Sequence, residues 1–380
     1  LELVDLRSCQ VERLVGGKAW SPQFSPDGRW LAYSRSAPAN SGSPVVVKAG
    51  GGTMRSPLGS GIQTWWWAPS GATLYGVNHR GQLLRARPGG HVRIVAGGAR
   101  TFAGAAGAAP DGREIATNSS GCIPPGFALD TVAVGSGSQR TAVSRRTSLA
   151  TFAVWSPDWR WLLYWARSMC SASLSADGWP LEAVPADGSH VPARAVAHML
   201  LDPDFLTWCG GRLIAASTPS RETQLGSRLL ATGPPAWHQR TIAPATRLSW
   251  VSPTCAPSGS VLAAAAGPRT TDAGFGVQHR SIWLLSPSGA IVRRLTTAPA
   301  DDLSDEAPRF SRDGRWILFV RSRVITHGST AISQDTLELV RAARGGPAVA
   351  VPVATFTSND FSFYDHFQWP SEIAWSDAVR

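Results

Sequence analysis

A strand–turn–strand motif that recurs along the whole chain constrains the fold more than any other feature of the sequence. Its clearest copies read aromatic-Ser-(Pro/Arg)-Asp-(Gly/Trp)-Arg-Trp and continue into an apolar run. The close copies occupy residues 24–33, 155–164 and 310–319, the weaker ones 67–75, 109–116 and 256–263, and two shortened ones 208–215 and 369–375. The anchor positions of successive copies lie 41 to 58 residues apart. A period of this length indicates a repeat architecture.

Each copy predicts a pair of strands joined by a tight turn. Proline presets the φ angle that such a turn needs, and glycine takes the position where a side chain would be strained. Between the copies lie further hairpin patterns, such as those at 83–94 and 282–292. Two hairpins per period give four antiparallel strands, which is the unit of a β-propeller blade. The sequence therefore predicts an all-β propeller.

The segment Phe-Ser-Pro-Asp-Gly-Arg-Trp-Leu-Ala-Tyr at 24–33 resembles the TolB-like, WD-type propeller repeats of exported bacterial proteins. The resemblance covers essentially the whole chain and implies a propeller fold and an exported protein. It says little about function, because the same repeat builds scaffolds, receptors, lyases and peptidase gates.

The two ends of the chain predict how the ring closes. Residues 1–15 read as an outer hairpin without an inner one before it, and residues 361–376 read as an inner hairpin without an outer one after it. Joined, they would complete one blade and remove open strand edges. We therefore expect eight blades in a single domain spanning 1–380. Seven blades is the alternative, if the degenerate copy at 204–217 belongs to a loop.

Composition and charge exclude several classes of protein. Charged residues make up 16% of the chain and there are 17 Trp, which argues against a disordered chain or a coiled coil. No apolar run is long enough to predict a membrane span. The net charge is +10, and the basic residues other than Lys18 and Lys48 are arginines spread along the chain. We expect a solvated surface and no nucleic acid, with an acidic partner as the alternative. The oligomeric state is left open.

The start of the chain and its cysteines favour export. The chain opens at Leu1 without a charged or apolar leader, as a removed signal would leave it, although a trimmed chain would look the same. Five cysteines with no zinc-type spacing fit an oxidising compartment better than a metal site.

Propeller geometry converts the cysteine spacing into two expected disulfides. Cys122 and Cys170 fall in equivalent connections of adjacent blades, and Cys209 and Cys255 fall at the ends of adjacent inner strands. The pairs Cys122–Cys170 and Cys209–Cys255 each join neighbouring blades on one face, which leaves Cys9 over. Buried free thiols remain the alternative.

One face of the ring is predicted to carry the function. In a propeller, the connections between blades and those between second and third strands share one face. The second-to-third connections are long in this chain, at 36–44, 119–130, 168–179, 218–227, 267–279 and 323–334. Variable loops on a rigid scaffold are where binding residues usually lie. We call this side the long-loop face and expect the binding site there.

The candidate ligand-binding residues start the inner strands on that face. Oxygen-bearing candidates are Asp202, Asp204, Asp301, Asp302, Asp305, Glu306, Asn359, Asp360, Tyr364, Asp365 and His366. We interpret them as a solvated rim with arginine partners. No metal or cofactor is expected, with a hard cation such as Ca²⁺ as the alternative.

Aromatic and histidine residues add a few more candidates. Trp20, Trp65 and Trp250 lie near the mouth and suit stacking on a sugar or an apolar side chain, although a place in the core is favoured. His79, His279 and His327 fall in second-to-third connections, and propeller lyases that cleave acidic sugars use His clusters around a metal. The blade of His79 is distant from the adjacent blades of His279 and His327, so the three need not converge, and short ligand spacings are missing. We therefore expect ordinary loop histidines.

Two functions from different classes follow. The favoured hypothesis is a non-enzymatic exported propeller that binds a protein, peptide or glycan through the long-loop face. The alternative is a glycan-active lyase or hydrolase with a metal or paired acids in the central mouth. A G-x-S-x-G nucleophile motif is missing from the sequence.

Overall fold

The computed structural model is a seven-bladed β-propeller. It describes residues 1–6, 10–15, 19–35, 43–97, 106–118, 127–145, 149–167, 178–189, 191–218, 225–270, 279–297, 302–327, 330–343, 345, 348–358 and 373–376. Six sheets have four antiparallel strands, and the sheet of blade 1 has three with a single bridge, Val46↔Arg55, beyond its last strand. The all-β fold and the four-stranded blade are therefore as predicted. No helix in this part of the chain is long and apolar enough to cross a membrane.

The strands follow one another in chain order from the inside of each blade to the outside. An N-terminal hairpin consists of β1 (Glu2–Asp5) and β2 (Gln10–Arg13). Blade 1 consists of β3 (Ala19–Phe24), β4 (Trp30–Arg35) and β5 (Pro44–Lys48). Blade 2 consists of β6 (Ile62–Trp67), β7 (Leu74–Asn78), β8 (Leu83–Ala86) and β9 (Arg93–Ala96). Blade 3 consists of β10 (Ala106–Ala108), β11 (Glu114–Asn118), β12 (Phe127–Ala133) and β13 (Gln139–Arg145).

The remaining blades keep the same order. Blades 4 and 5 consist of β14 (Leu149–Trp155), β15 (Trp161–Arg167), β16 (Gly178–Pro185), β17 (Arg194–Leu200); and β18 (Leu206–Cys209), β19 (Arg212–Ser217), β20 (Arg228–Thr232), β21 (Arg240–Ala243). Blades 6 and 7 consist of β22 (Leu248–Cys255), β23 (Leu262–Pro268), β24 (Ser281–Leu285), β25 (Ile291–Arg294); and β26 (Leu303–Phe310), β27 (Trp316–His327), β28 (Thr330–Arg341), β29 (Ala350–Ser358).

The prediction of eight blades closed by the two ends of the chain is wrong. Within the described residues, β1 pairs only with β2, and the hairpin packs through Leu1 and Leu14 against Leu31 of blade 1. Ile373 instead contacts the apolar side chains of blade 7 that include Val320. The alternating pattern of residues 1–15 correctly indicates a hairpin. It cannot tell whether that hairpin joins a sheet of the ring, and here, among the described residues, it forms a separate two-stranded sheet.

A second difference from the sequence prediction concerns the connection at 323–334. It is not a loop, because β27 and β28 continue through it as a paired hairpin of two 12-residue strands. The inner strand β26 ends its pairing at Leu303↔Arg323, so β27 continues for four residues beyond it. At the rise of a β-strand this is about 13 Å, and the hairpin projects from the long-loop face.

The motif turns are held by the side chains that the repeat specifies. In blade 1, Ser25 Oγ donates to Asp27 Oδ1 at 2.5 Å and accepts from the Trp30 amide at 3.0 Å. The same bonds recur at Ser156 and Ser311. Local polar contacts of this kind satisfy the turn backbone, so the motif encodes the turn geometry directly.

A bulge before the motif shapes the inner strands of blades 1, 6 and 7. Each contains a Ser-Pro or Ala-Pro dipeptide four residues ahead of its turn, and the strand register slips there. Ser21, Ser252 and Ala307 have φ near +50°, at 53°, 49° and 48°. Proline cannot donate to the ladder, and a residue with positive φ kinks the strand. The bulge therefore redirects each strand just before Gln23, Thr254 or Arg309.

The ends of the inner strands connect each blade to the one before it. Trp67 Nε1 donates to the Gln23 carbonyl at 3.0 Å, and Trp155 Nε1 donates to the Gly107 carbonyl at 3.0 Å. Cys255 occupies the same repeat position in blade 6 and forms a disulfide with Cys209 of blade 5, with Cα atoms 5.5 Å apart. The disulfide predicted for this pair is thus present, and it takes the place of the tryptophan hydrogen bond.

Candidate functional site

Carboxylates and guanidinium groups from blades 5 to 7 form ion pairs on and around the inner strands. We call this set the mouth ion-pair network. Its members are Asp204, Arg280, Asp302, Asp305, Glu306, Arg309, Arg321, Arg323 and Glu338. Four of the acids precede or lie in an inner strand, and the fifth, Glu338, lies in β28. Three of the arginines lie in β26 or β27, and the fourth, Arg280, precedes β24.

Arg321 is the centre of this network. Its Nε and Nη2 donate to the two carboxylate oxygens of Asp305 at 2.7 and 3.0 Å, and its Nη1 donates to both oxygens of Glu338 at 2.9 Å. Asp305 is fully buried, so its charge needs this partner. Burial tends to lower the pKa of Arg321, but the hydrogen bond and charge of Asp305 outweigh it and raise that pKa.

At Glu338 the positive and negative charges of the network are only partly balanced. Its carboxylate shares the Arg321 guanidinium with Asp305, which makes two negative charges against one positive charge. Burial raises the pKa of Glu338, and the nearby Asp305 charge acts in the same direction against the lowering effect of Arg321.

Glu306 is held by a second arginine. Arg280 Nη1 donates to Glu306 Oε1 at 3.0 Å, and Ser304 Oγ donates to the same oxygen at 3.1 Å. The side chains of Arg280 and Glu306 are 5% and 10% exposed, so this pair lies inside the protein. The Asp305 amide also donates to the Arg280 carbonyl, which fixes blade 6 against the inner strand of blade 7.

Asp204 is paired across two blades. It lies in a 3-10 helix, Pro203–Phe205, that is capped by Asp202, whose Oδ1 accepts from the Asp204 amide at 2.7 Å. Arg309 of β26 donates through Nη2 to Asp204 Oδ1. Asp202 therefore shapes the backbone, and the buried Asp204 carboxylate is neutralised by an arginine from blade 7.

Asp302 is the most exposed acid of the network. Its Oδ2 lies 2.7 Å from Arg323 Nε in an ion pair whose two side chains are 51% and 43% exposed. A surface pair of this kind contributes little to stability. The predicted arginine partners are present for Asp204, Asp302, Asp305 and Glu306. The predicted solvated rim is wrong for Asp202, Asp204, Asp305 and Glu306, which are buried on or beside the packed inner strands.

The aromatic candidates lie deeper than a stacking platform requires. Trp65 is buried and its Nε1 donates to Ser34 Oγ at 2.9 Å, and Trp250 is buried with Nε1 donating to the Pro244 carbonyl at 3.3 Å. Trp20 is half-buried on β3. Two of the three candidates therefore pack in the core between or within blades.

The histidine candidates are not gathered into a centre. His79 and His279 are exposed on the connections of blades 2 and 6, and His327 ends the projecting strand β27. Across the described ranges, no three His, Cys, Asp or Glu side chains come together as metal ligands. The mouth carboxylates already contact arginines, so these residues do not fit a Ca²⁺ site, which needs several oxygens free to face the cation.

Several predicted site residues lie outside the described residues. These are Asp301, Asn359, Asp360, Tyr364, Asp365 and His366, together with the cysteines Cys122 and Cys170. Their roles in ligand binding and the Cys122–Cys170 disulfide stay predictions.

The arginines of the mouth were not identified from the sequence. A signal for one of them was present, since Arg309 follows the bulge proline at the repeat position that Gln23 and Thr254 occupy in blades 1 and 6. Aligning the copies four residues further upstream would have placed Arg309 on the inner strand. The partners Asp204 and Arg309 are 105 residues apart, and no local pattern relates them.

Comparisons with known proteins support the fold. No protein-family model matches the sequence, and no curated protein matches it. The structure is similar to an oligogalacturonate lyase from Vibrio parahaemolyticus, with 12% identity, a TM-score of 0.53 and coverage of 84% of this chain and 92% of that chain. It is also similar to prolyl oligopeptidase B from Galerina marginata, with 13% identity, a TM-score of 0.54 and coverage of 92% and 52%.

The solved structures that match also include one named for TolB. A protein named as TolB from Agrobacterium tumefaciens matches over 93% of this chain and 87% of that chain, with 15% identity and a TM-score of 0.38. At that score the match adds nothing to the fold assignment. Identities this low relate the folds alone, and the narrower assignment to WD-type repeats stays a prediction.

Proposed function

We propose that this protein is an exported, non-enzymatic β-propeller that binds a protein or peptide partner through its long-loop face. The observation that carries the proposal is the pairing of the mouth acids with arginines. Asp305 and Glu306 are buried, and each accepts hydrogen bonds from a guanidinium. A carboxylate that serves as a general base or a metal ligand needs a lone pair directed at substrate or metal. In this network both oxygens of Asp305 and of Glu338, and Oε1 of Glu306, accept hydrogen bonds from protein donors.

The cysteine pairing supports an exported protein. The Cys209–Cys255 disulfide joins two blades, and such bonds persist in oxidising compartments. The periplasm, the cell surface and the extracellular space all satisfy this condition.

The projecting hairpin of β27 and β28 supports a role in partner recognition. It extends two paired strands beyond the inner strand, and its base is held by Arg321, which contacts Asp305 of β26 and Glu338 of β28. A rigid base with a protruding element is a common way to present a binding surface on a propeller.

A turnover screen with variants tests the proposal. Purified protein is assayed on polyuronates, neutral polysaccharides and a peptide library, with and without Ca²⁺ or Mn²⁺. We expect no turnover by the wild-type protein, and none by the Glu306→Gln or Asp302→Asn variants. Asp187→Asn, an exposed acid of the opposite face, serves as the matched control.

The opposite result is clear. Turnover that Glu306→Gln or Asp302→Asn abolishes, and that Asp187→Asn leaves intact, would overturn the proposal and establish the lyase or hydrolase alternative. Thermal unfolding of each variant shows whether a loss of turnover reflects a loss of folding.

A further inference from the structure

Three exposed arginines lie at the junction of blades 5 and 6 on the long-loop face. Arg228 starts β20, Arg247 immediately precedes β22, and Arg269 immediately follows β23. We propose that these residues, the junction arginines, bind the carboxylate groups of an acidic peptide segment of a partner protein. The proposal rests on the proposed function and names the chemistry of the partner.

Backbone pairing brings two of the junction arginines directly opposite each other. The β22–β23 ladder pairs Leu248 with Pro268, and the Arg269 amide donates to the Arg247 carbonyl at 2.9 Å one step further. Opposite residues of an antiparallel pair direct their side chains to the same side of the sheet. Two like charges in this position repel each other, and an anion between them relieves the repulsion.

Arg228 is held beside this pair by a contact between the blades. The Ser227 amide donates to Ser249 Oγ at 2.8 Å, and the Trp250 amide donates to the Ser227 carbonyl at 2.9 Å. Both serines are buried. Because Ser227 precedes Arg228 directly and Ser249 is two residues from Arg247, these bonds fix the separation of the two arginines.

The Arg269 guanidinium is fixed in place before any ligand arrives. Its Nε donates to the Leu225 carbonyl at 2.9 Å and its Nη1 donates to the Ala245 carbonyl at 3.1 Å. Neither contact neutralises the charge, and Nη2 is left to meet a ligand. A preoriented guanidinium loses little conformational entropy when it binds a carboxylate.

The carboxylates described nearby are already engaged elsewhere. Asp202 caps the 3-10 helix, Asp204 pairs with Arg309, and Glu306 pairs with Arg280. Within the part of the chain that the structure describes, Arg228 and Arg247 form no ion pair. Among the described residues, the junction arginines therefore carry positive charge that no described carboxylate pairs with.

The surroundings of the junction arginines favour a peptide over a sugar. Sugar sites usually offer an exposed aromatic ring, but Trp250 is buried and Arg294 covers Trp283 at 5.8 Å from its ring centroid. Guanidinium forks instead match the planar carboxylates of Asp and Glu side chains.

Binding of a labelled hexaglutamate peptide, measured by fluorescence anisotropy at low ionic strength, tests the proposal. We expect the Arg228→Ala/Arg247→Ala variant to lose affinity by about 10-fold or more, since two charge-assisted contacts disappear. The matched control is Arg160→Ala/Arg212→Ala, which removes the same charge from two exposed residues of the opposite face. We expect the control to change affinity by less than about 2-fold, because screening limits effects over that distance.

Three outcomes would overturn the proposal: no binding of hexaglutamate to the wild-type protein, equal losses in the two double variants, or binding of a galacturonate hexamer instead of the peptide at the same arginines. Arg247→Lys keeps the charge without the fork, and we expect an intermediate affinity. If hexaglutamate binds and no turnover is found, both proposals are supported. If hexaglutamate does not bind and no turnover is found, only the proposal on the junction arginines is contradicted. Turnover in the substrate screen contradicts only the proposed function.

Discussion

Arg309 on the inner strand of blade 7 forms an ion pair with Asp204, which lies before the inner strand of blade 5. The pair connects blades 5 and 7, which are separated in the ring by blade 6. The Asp204 side chain is 6% exposed and that of Arg309 is 34% exposed, so the acid is the member that depends on the contact. This pair and the Arg321 contacts make the mouth of the ring a structural network.

Replacing Arg309 should destabilise the protein through the buried acid that it leaves behind. We expect Arg309→Met to lower the free energy of unfolding by about 2 kcal/mol, less than for a fully buried pair because Arg309 is one-third exposed. Urea denaturation measures this change. The double variant Arg309→Met/Asp204→Asn should recover most of the loss, and a double variant as unstable as the single one would contradict the assignment.

Glu338 should make stability depend on pH. Burial raises its pKa, so the folded protein holds this proton more tightly than the unfolded chain does. The stability of the wild-type protein relative to Glu338→Gln should therefore fall as pH rises from the ordinary pKa of glutamate through the raised one. Denaturation at a series of pH values measures the difference.

The control for this pH effect is Glu12→Gln, which removes an exposed carboxylate from the N-terminal hairpin. If the wild-type protein instead gains stability relative to Glu338→Gln over the same rise in pH, folding lowers the pKa of Glu338, and the expectation is wrong.

The four-stranded blade was predictable because its signals are local, whereas the number of blades, which was predicted wrongly, and the site depend on contacts across the ring. Each motif copy contains the Ser and Asp that hold its own turn, as at Ser25 and Asp27, so the repeat predicts a hairpin wherever it occurs. The pairing of Cys209 with Cys255 was also predictable, since adjacent copies place both at the ends of inner strands. The Asp204–Arg309 pair is different, because its existence depends on how far the ring curves between blades 5 and 7.

The Cys209–Cys255 disulfide should contribute substantially to stability. It closes a loop with a sequence separation of 46 residues, and a loop of that size corresponds to about 4 kcal/mol at most in the chain-entropy model. We expect Cys209→Ala/Cys255→Ala to lose about 2 to 4 kcal/mol in guanidinium denaturation. Reductant should destabilise the wild-type protein and leave this variant unchanged; equal sensitivity of both proteins would contradict the expectation.

Trp159 is the residue whose replacement should stabilise the fold. It occupies the turn position at which the other two close copies of the motif have Gly28 and Gly314. Its φ angle is +51°, and its side chain is 51% exposed. Trp159→Gly relieves the left-handed strain and loses little burial, so we expect a gain of about 1 kcal/mol in thermal or chemical unfolding. Gly314→Ala should lower stability by a similar amount, and a destabilised Trp159→Gly would show that the indole ring contributes to packing.

Crystals soaked with Mn²⁺ or Ca²⁺ test the central claim, that the mouth acids serve the structure, most directly. The measurement is the anomalous difference density around Asp305, Glu306 and Asp204. We predict no cation at these carboxylates, with Arg321, Arg280 and Arg309 still in contact with them. A cation bound to two or more of the acids, with its arginine partners displaced, would contradict the account.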